Sequence, residues 1–241
     1  MRHTRTLLAT AAAVSLAACS GQGPEAENGA SAGNETIGMN TSQAATDDDA
    51  QDARTLVDEA ARQVETMKAD PDLAGLMQKA KGIYIVPEFG RGALIVGGRG
   101  GAGVVVANQD TGWSPPAFYD FGSLSVGAQA GGSGGQLAFL LMTDDAVNAF
   151  MSGNQVSLNA ESGLSIINYS ENAQASLGKG DIIMWSDTEG AYAGATVSVT
   201  DINWDDENNR AYYGRDVEPR QVLTGKVSAP QSSNLESALP S

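Results

Sequence analysis

Short apolar runs separated by glycine or proline fill the stretch Gly82–Asn108. The runs are Ile83–Val86, Ala93–Val96 and Val104–Val106. β-branched residues suit the pleated surface of a strand, and glycines supply turns, bulges and close backbone approach. The pattern therefore predicts three adjacent antiparallel strands that turn tightly on one another.

A helical period precedes this glycine-rich stretch, between Asp52 and Lys81. Apolar residues recur there every three or four positions and so share one helical face: Leu56, Ala60, Val64 and Met67. Pro71 breaks the period, and Asp70 stands before it as the expected cap of a second short helix. The pattern predicts two helices in front of the sheet.

Strand-like runs resume after residue 135. Gln136–Thr143 is a continuous apolar run, and Asp144 follows it as the predicted cap of a short helix. Four more runs are predicted to be strands: Gln155–Leu158, Leu164–Asn168, Asp181–Trp185 and Tyr192–Ile202. Beyond them, the polar stretch Asp201–Asn209 predicts a turn and Arg215–Leu223 predicts a last strand.

These elements place the chain in the α+β class. We expect a β-rich domain over residues 52–225, built on a curled antiparallel sheet or partial barrel. One or two N-terminal helices should cover that sheet, because the helical period lies in front of the first strand-like run. Residues 226–241 are predicted to form a loose C-terminal tail.

The N-terminus has the pattern of an export signal. A basic start precedes the apolar run Leu7–Leu16, which is too short to span a bilayer as a helix. Leu16-Ala-Ala-Cys19 resembles the bacterial lipobox, in which the chain is cut before the cysteine and the thiol is acylated. Residues 1–18 are therefore predicted to be a lipoprotein signal peptide, with Cys19 as the lipid anchor. An ordinary signal peptide with an incidental cysteine is the alternative.

The stretch that follows has the composition of a tether. Residues 19–51 are rich in Gly, Ala, Ser, Asn, Thr and acidic residues and contain no aromatic residue. Such a segment cannot bury enough apolar area to offset the entropy of ordering, which predicts a flexible acidic tether. Ser20 follows the anchor, where aspartate would favour the inner membrane. By analogy we expect an outer-membrane lipoprotein that faces the periplasm.

Removal of the signal leaves little for catalysis. The only histidine is His3 and the only cysteine is Cys19. A mature chain without a free imidazole or thiol excludes Ser-His-Asp and Cys-His catalysis and zinc or haem sites built on those residues. The chain also carries 14 Lys and Arg against 29 Asp and Glu. This acidity does not suit nucleic-acid binding.

No cofactor or metal site is predicted. Gly98-Arg-Gly-Gly-Ala-Gly103 matches the G-x-G-x-x-G pattern, but a dinucleotide site needs a helix to begin there. Val104–Val106 follows instead, which favours a glycine-rich hairpin. The polar stretch Asp201–Asn209 holds enough oxygens for Ca²⁺, but its spacing does not match an EF-hand loop, and an ordinary solvated turn is favoured.

One basic island stands out in the acidic chain. Between Leu73 and Gln109 the only acidic residue is Glu88. Four basic residues lie in the same stretch: Lys79, Lys81, Arg91 and Arg99. Phospholipid head groups are natural counter-ions for such residues at a membrane surface. These four are the candidate lipid-binding residues, with plain solubility as the alternative role.

An aromatic corner follows the island. Trp113-Ser-Pro-Pro-Ala-Phe118 contains two prolines, which cannot donate to a strand ladder and so favour an edge or corner of the sheet. Trp113, Phe118 and Tyr119 are expected to pack in the core or at this corner. An aromatic rim that dips into lipid is the functional alternative.

Several segments resemble the SYLF domain family when read in order. The early segments are Lys79-Ala-Lys-Gly-Ile-Tyr-Ile-Val-Pro87, Gly97-Gly-Arg-Gly-Gly-Ala-Gly103, Trp113-Ser-Pro-Pro-Ala-Phe118 and Gly122-Ser-Leu-Ser-Val-Gly-Ala-Gln129. The late ones are Ala191–Gly194 and Asn208-Asn-Arg-Ala-Tyr-Tyr-Gly214. The resemblance implies membrane-lipid binding, and for some eukaryotic members actin binding. Bacterial members are commonly small exported proteins or lipoproteins.

We therefore predict a non-catalytic, membrane-anchored lipoprotein whose SYLF-like domain binds phospholipid membranes. The alternative is an envelope protein–protein interaction module that does not bind head groups and uses a sheet edge or the aromatic corner. An enzyme would have to work with carboxylates alone, and no pair of them stands out. Actin is a partner by resemblance only, because an exported lipoprotein has no access to it outside a host cell.

Overall fold

Two helices precede the sheet, as the helical period predicts. The computed structural model describes residues 47–90, 100–126, 135–169, 180–188, 197–229 and 234–241. Helix α1 (Asp47–Lys68) begins with three aspartates that complement the helix dipole, and α2 (Pro71–Met77) follows. The Asp70 carboxylate accepts hydrogen bonds from the backbone N–H groups of Asp72 and Leu73, at 2.9 and 3.3 Å. The predicted cap of the second helix is confirmed.

Ten strands of the described chain form one curled sheet. They are β1 (Gly82–Phe89), β2 (Gly101–Gln109), β3 (Gly112–Trp113), β4 (Ala117–Phe121), β5 (Ser123–Val126), β6 (Gly135–Leu141), β7 (Gln155–Leu158), β8 (Ile166–Asn168), β9 (Ile182–Ser186) and β10 (Val197–Trp204). Their order is β5-β10-β4-β2-β1-β6-β9-β8, with β3 beside β2 and β7 beside β10. This strongly curled half-barrel with several helices confirms the predicted α+β class.

Four short helices follow the central strands: α3 (Asp144–Met151), α4 (Asp206–Tyr213), α5 (Pro219–Leu223) and α6 (Asn234–Ala238). The predicted cap of α3 is wrong by one residue. Thr143 has extended backbone angles and its hydroxyl accepts from the Ala146 N–H at 3.3 Å, whereas Asp144 is already the first helical residue.

Two predictions in the C-terminal half are also wrong. The stretch Asp201–Asn209 is not a turn, because β10 continues to Trp204 and Asp205 caps α4 by accepting from the Asn208 N–H. The predicted strand Arg215–Leu223 contains α5, which begins at a proline and has a capping box between Glu218 and Gln221. In both places a polar cap starts a short helix.

Strands β1 and β2 pair directly with each other. The antiparallel register runs from Gly82 opposite Ala107 to Phe89 opposite Gly101. The other side of β1 is taken by β6, and the other side of β2 by β4. The predicted middle strand Ala93–Val96 lies outside the described residues. One pair also departs from the antiparallel prediction, since β8 pairs with β9 in parallel.

A bulge interrupts β1 at Pro87, which has no N–H to offer to a neighbouring strand. The register with β6 shifts between Val86 and Phe89. Next to this shift, the buried Gln63 side chain of α1 donates through Nε2 to the Leu137 carbonyl of β6, at 2.8 Å. A helix side chain therefore supplies a hydrogen bond beside the irregular part of the ladder.

Alternate residues of the central strands enter two different cores. Tyr84 and Val86 of β1 face the concave side, while Ile83 and Ile85 face the convex side. Helices α3 and α5 contribute to the concave core, and α1, α2 and α6 contribute to the convex core. Because both faces are covered, β1 is buried along nearly its whole length.

Candidate functional site

Lys79 and Lys81 are exposed between α2 and β1. The backbone of Lys81 is fixed on both sides, since its N–H donates to the Leu141 carbonyl and its carbonyl accepts from the Asn108 N–H, both at 2.8 Å. Neither lysine forms an ion pair with a carboxylate of the described residues. The two ammonium groups therefore project from a rigid base and are available to an external anion.

The basic island is continuous in sequence but spans the length of a strand. Arg91 and Arg99 lie outside the described residues; their described neighbours are Gly90 and Gly100, whose backbones meet at 3.2 Å. These glycines stand at the far end of β1 from Lys81. Eight residues of strand separate the two ends by roughly 25 Å. Lys79 and Lys81 therefore lie far from Gly90 and Gly100, the described residues that flank the two arginines.

Two members of the predicted aromatic corner are core residues. Phe118 and Tyr119 are both 0% exposed. The Tyr119 hydroxyl donates to the Phe150 carbonyl at 2.7 Å, and burial raises the pKa of Tyr119. Burial, followed by the negative charge of Asp120, raises the pKa of Tyr84 in the same core. Tyr84 and Tyr119 lie in the concave core and Phe118 lies in the convex core, so these rings are not available as a rim that enters lipid.

The proline elbow and α4 bind each other at what we call the elbow junction, formed by residues 113–118 and 205–214. The Asn209 amide forms two hydrogen bonds with the backbone of Phe118: its oxygen accepts from the N–H at 3.2 Å, and its nitrogen donates to the carbonyl at 2.8 Å. The Tyr213 hydroxyl donates to the Pro116 carbonyl at 2.7 Å. Tyr212 packs on Phe118 with ring centroids 5.1 Å apart. The junction is a structural joint.

Trp113 lies half-buried under what we call the closing segment, residues 234–241. Its indole Nε1 donates to the Pro240 carbonyl at 2.7 Å. Leu235 and Leu239 of the segment are 0% and 5% exposed, in the same core as α1. The predicted loose tail over residues 226–241 is therefore wrong for the closing segment, because two leucines one helical turn apart are buried against the domain.

An open cleft of about 350 Å³ lies beside Trp113. Gln109, Pro115 and Glu236 are among the residues that line it. The amide of Gln109 is already engaged, since Nε2 donates to the Leu223 carbonyl at 2.7 Å. The indole N–H of Trp113 likewise donates to the Pro240 carbonyl, so both of these donors in the cleft wall already have partners within the fold.

The carboxylates with shifted pKa values also serve local structure. Ser165 donates to Asp181 from its N–H and its hydroxyl, at 2.9 and 2.7 Å, and these hydrogen bonds lower the pKa of Asp181. Burial raises the pKa of Asp70, but hydrogen bonds from Tyr169 and the α2 backbone outweigh it, and the net pKa is lowered. Neither group has the raised pKa of a general acid at neutral pH.

Within the described ranges, no group of three or more His, Cys, Asp or Glu side chains is arranged to hold a metal ion. Asp205, from the polar stretch considered for Ca²⁺, is the cap of α4. The helices of these ranges include none with the length and apolar character needed to cross a membrane.

Comparison with known proteins gives the family. Residues 122–241 match the family model named Ysc84, which is described as a Las17-binding protein actin regulator. The chain belongs to the Ysc84, or SYLF, family. The predicted family resemblance is thereby confirmed, and the matched region includes α4 and the closing segment.

Relatives of this SYLF domain occur in larger proteins. Protein YSC84 of Saccharomyces cerevisiae is 28% identical over 165 residues, which are 66% of this chain and 35% of that protein. LAS seventeen-binding protein 3 of the same species is 29% identical over 161 residues, 64% of this chain and 35% of that protein. The human SH3 domain-containing YSC84-like protein 1 is 27% identical over 173 residues, covering 70% and 50%. The chain thus spans about a third to a half of these relatives.

The SYLF-like sequence segments are now explained by the fold. Trp113-Ser-Pro-Pro-Ala-Phe118 and Asn208-Asn-Arg-Ala-Tyr-Tyr-Gly214 are the two halves of the elbow junction. Gly214 ends α4 in the left-handed conformation with φ of 65°. These two SYLF-like segments therefore specify the fold, whereas Lys79 and Lys81, in the first SYLF-like segment, are predicted site residues that the structure leaves exposed.

Proposed function

We propose that this chain is a non-catalytic lipoprotein, anchored through acylated Cys19, whose SYLF domain binds phospholipid head groups. The observation that carries the proposal is that the ammonium groups of Lys79 and Lys81 are exposed and pair with no carboxylate of the described residues. By contrast, Arg62 pairs with Glu59, Lys68 with Glu65 and Arg210 with Asp216. An external phosphate is therefore a fitting partner for the two lysines.

With an acyl anchor, weak contacts to head groups would be enough to orient the domain on the membrane. Each basic residue near an anionic surface contributes about 1 kcal/mol. A domain held beside the bilayer gains effective concentration, so two to four such contacts fix its orientation. Lys81 and Gly90 lie at opposite ends of β1, so the contribution of the pair Arg91 and Arg99 is tested apart from that of the lysine pair.

Vesicle co-sedimentation tests the head-group proposal. The mature chain with Cys19→Ser is mixed with phosphatidylcholine vesicles and with vesicles that also contain phosphatidylglycerol, at low and high salt. We expect binding to the anionic vesicles that salt weakens. The variant Lys79→Ala/Lys81→Ala should lose binding, while the control Arg54→Ala/Arg62→Ala, which removes the same charge from α1, should retain it.

The arginine pair is tested in the same assay. If Arg91→Ala/Arg99→Ala weakens binding as much as the lysine variant, the arginine pair also contacts head groups. If it has no effect, the lysine end alone faces the membrane. Absence of binding to every vesicle, or equal loss with the α1 control, would refute head-group binding by this domain.

The anchor has its own test. We expect the chain expressed in a Gram-negative bacterium to fractionate with the outer membrane, and its mature N-terminus to be a diacylated or triacylated Cys19 by mass spectrometry. Cys19→Ser should release the protein into a soluble fraction. An unmodified Cys19 in the purified protein would refute the lipoprotein assignment.

A protein-binding role is the second candidate. The observation in its favour is that the family model and one relative are named for binding another protein, Las17. Export to the envelope would separate this chain from cytosolic actin, so we propose an envelope protein as the partner in this case. Pull-down with the Cys19→Ser chain distinguishes the candidates, because a protein partner would be retained by Lys79→Ala/Lys81→Ala.

A further inference from the structure

We propose that the open cleft beside Trp113 binds the ammonium group of an ethanolamine phospholipid head group, while Lys79 and Lys81 bind its phosphate. The inference rests on the head-group binding proposed above, because the same two lysines supply the phosphate contact. It adds a second subsite and, with it, a preference among phospholipids. Phosphatidylethanolamine carries both charges on one short head group and is the ligand that the two subsites recognise together.

Four side-chain donors in the cleft wall are already used within the fold. Ser114 Oγ and Thr224 Oγ1 donate to backbone carbonyls of this chain, at 3.0 and 2.6 Å. The amide nitrogen of Gln109 and the indole N–H of Trp113 also donate to backbone carbonyls, both at 2.7 Å. An anion needs donors, so this part of the cleft wall does not suit a phosphate group.

A negative charge lines the same cleft. Glu236 is exposed, and it is the only charged residue among the described residues that line the cleft. A primary ammonium has three N–H donors and a positive charge, so it is complementary to a carboxylate. Trp113 also lines the cleft, and the face of an indole ring attracts cations. The cleft therefore suits an ammonium group rather than an anion.

Lys81 lies beside the cleft, on the same face of the sheet as Trp113. Its carbonyl accepts from the Asn108 N–H at 2.8 Å, and Asn108 pairs with Trp113 in the next strand. Side chains of residues paired across strands share a face, which here is the convex one that Trp113 packs on. Two strand spacings, roughly 10 Å, separate Lys81 from Trp113. The long lysine side chain shortens this span, so one head group can contact both.

The lining distinguishes ethanolamine from choline. A choline ammonium carries methyl groups in place of N–H donors, and its binding sites are cages of aromatic rings. Trp113 is the only aromatic residue among the described residues of the lining. Hydroxyl and amide oxygens, which accept hydrogen bonds from a primary ammonium, are supplied by other lining residues, including Gln109, Thr111 and Ser228.

Vesicle co-sedimentation tests this preference. All vesicles contain the same fraction of phosphatidylglycerol, and the remaining lipid is either phosphatidylcholine or phosphatidylethanolamine, so the two kinds differ in the zwitterionic head group. We expect the mature chain with Cys19→Ser to bind the ethanolamine vesicles about tenfold more tightly, through one added charge-assisted contact. Glu236→Gln should reduce the ratio of the two affinities to about one, because the ammonium loses its carboxylate partner.

A matched variant controls for the change in charge. Glu161→Gln removes the same charge at an exposed position outside the cleft lining, and it should keep the ratio of the parent chain. A preference for ethanolamine vesicles that Glu236→Gln retains would be an effect of lipid packing and would overturn the proposal. Equal binding of the parent chain to both kinds of vesicle would also overturn it.

A soluble head group covers the case in which Glu236→Gln does not fold. O-phosphoethanolamine is titrated into the ¹⁵N-labelled chain with Cys19→Ser, and the Trp113 indole signal, assigned by its absence from Trp113→Phe, is followed. We expect a saturable shift that is weaker with phosphocholine and absent with inorganic phosphate. No shift, or an equal shift with inorganic phosphate, would overturn the ammonium subsite. An equally strong shift with Nα-acetyl-lysine amide would assign the cleft to a lysine of a protein partner and would overturn the lipid proposal.

Failure of this inference is distinguishable from failure of the proposed function. If the chain shows no salt-sensitive binding to vesicles that contain phosphatidylglycerol, head-group binding itself is refuted. If that binding is present and depends on Lys79 and Lys81, but ethanolamine and choline vesicles bind equally, only the ammonium subsite is refuted.

Discussion

The Asn209 amide offers the sharpest test of the elbow junction. It is 1% exposed and its oxygen accepts from the Phe118 N–H, while its nitrogen donates to the carbonyls of Phe118 and Asp205, at 2.8 and 2.7 Å. In effect one side chain pairs with β4 as a neighbouring strand would. Replacement by alanine removes all three bonds and leaves the Phe118 N–H without a partner in a fully buried position.

The expected cost follows from these contacts. A buried donor left unpaired costs about 1–3 kcal/mol, and the missing amide volume adds about 1 kcal/mol. The Phe118 carbonyl keeps a bond from the Asp205 N–H at 3.1 Å, which limits the loss. We therefore expect Asn209→Ala to lower the free energy of unfolding by roughly 2–4 kcal/mol, or the melting temperature by roughly 5–15 °C.

The adjacent asparagine is the matched control. Asn208 bonds only to the Asp205 side chain through its amide, at 2.5 Å, and is half-buried. Asn208→Ala should therefore cost less than about 1 kcal/mol in the same urea titration. Equal destabilisation by the two alanine variants would refute the claim that the Asn209 amide holds β4.

A third variant tests the bonding pattern itself. In Asn209→Asp a protonated carboxyl can still accept from the Phe118 N–H and donate to its carbonyl, whereas the ionised form cannot donate. Burial should raise the pKa of this carboxyl in the folded state. Its ionisation therefore costs no folding free energy below the unfolded pKa of about 3.9, and the loss of folding free energy grows as pH rises above that value. Unfolding measured at about pH 4 and pH 7 should show the larger loss at pH 7. A loss independent of pH would contradict the pattern.

Three further predictions follow from the fold. Gln63→Leu should lower the free energy of unfolding in urea by about 1–2 kcal/mol, because the buried Leu137 carbonyl loses its donor. Hydrogen bonds lower the folded pKa of Asp181, so its stabilisation is present above the ordinary value of 3.8 and is lost as pH falls through the folded pKa; Asp181→Asn should flatten this acid dependence of unfolding. Gly103→Ala places Cβ 2.5 Å from a β1 carbonyl and should destabilise, whereas Gly75→Ala meets nothing within 4 Å and should stabilise α2 by about 0.5–1 kcal/mol in the same titration.

The elements with strong local signals could be predicted from sequence. The apolar period and the cap at Asp70 give α1 and α2, dense β-branched runs give β1 and β2, and a continuous apolar run gives β6. Signals for α4 were also present, namely Asp205 before it and Gly214 after it. They were outweighed by the polar composition between them, which also describes a turn. The start of α5 at Pro219 was a similar missed signal.

The arrangement in space could not be read from sequence. The basic island is contiguous along the chain. The eight residues of β1 span roughly 25 Å, however, so Lys81 and Gly90 lie far apart in space. The closing segment is invisible to local rules because a five-residue helix has no stability of its own. Its order comes from Lys68 and Trp113, which are more than a hundred residues away in sequence.

Residues that hold the fold together differ from residues that are available to bind other molecules. Two of the segments that carry the family likeness are joined by side chains of residues 208–214 that bond to the backbone of residues 113–118, so changing them tests folding rather than binding. The groups left free to act on other molecules are those that the fold positions without using. In the described chain these include the Lys79 and Lys81 ammonium groups. Variants at Lys79 and Lys81 should separate binding from stability, because both residues are exposed and neither belongs to a core.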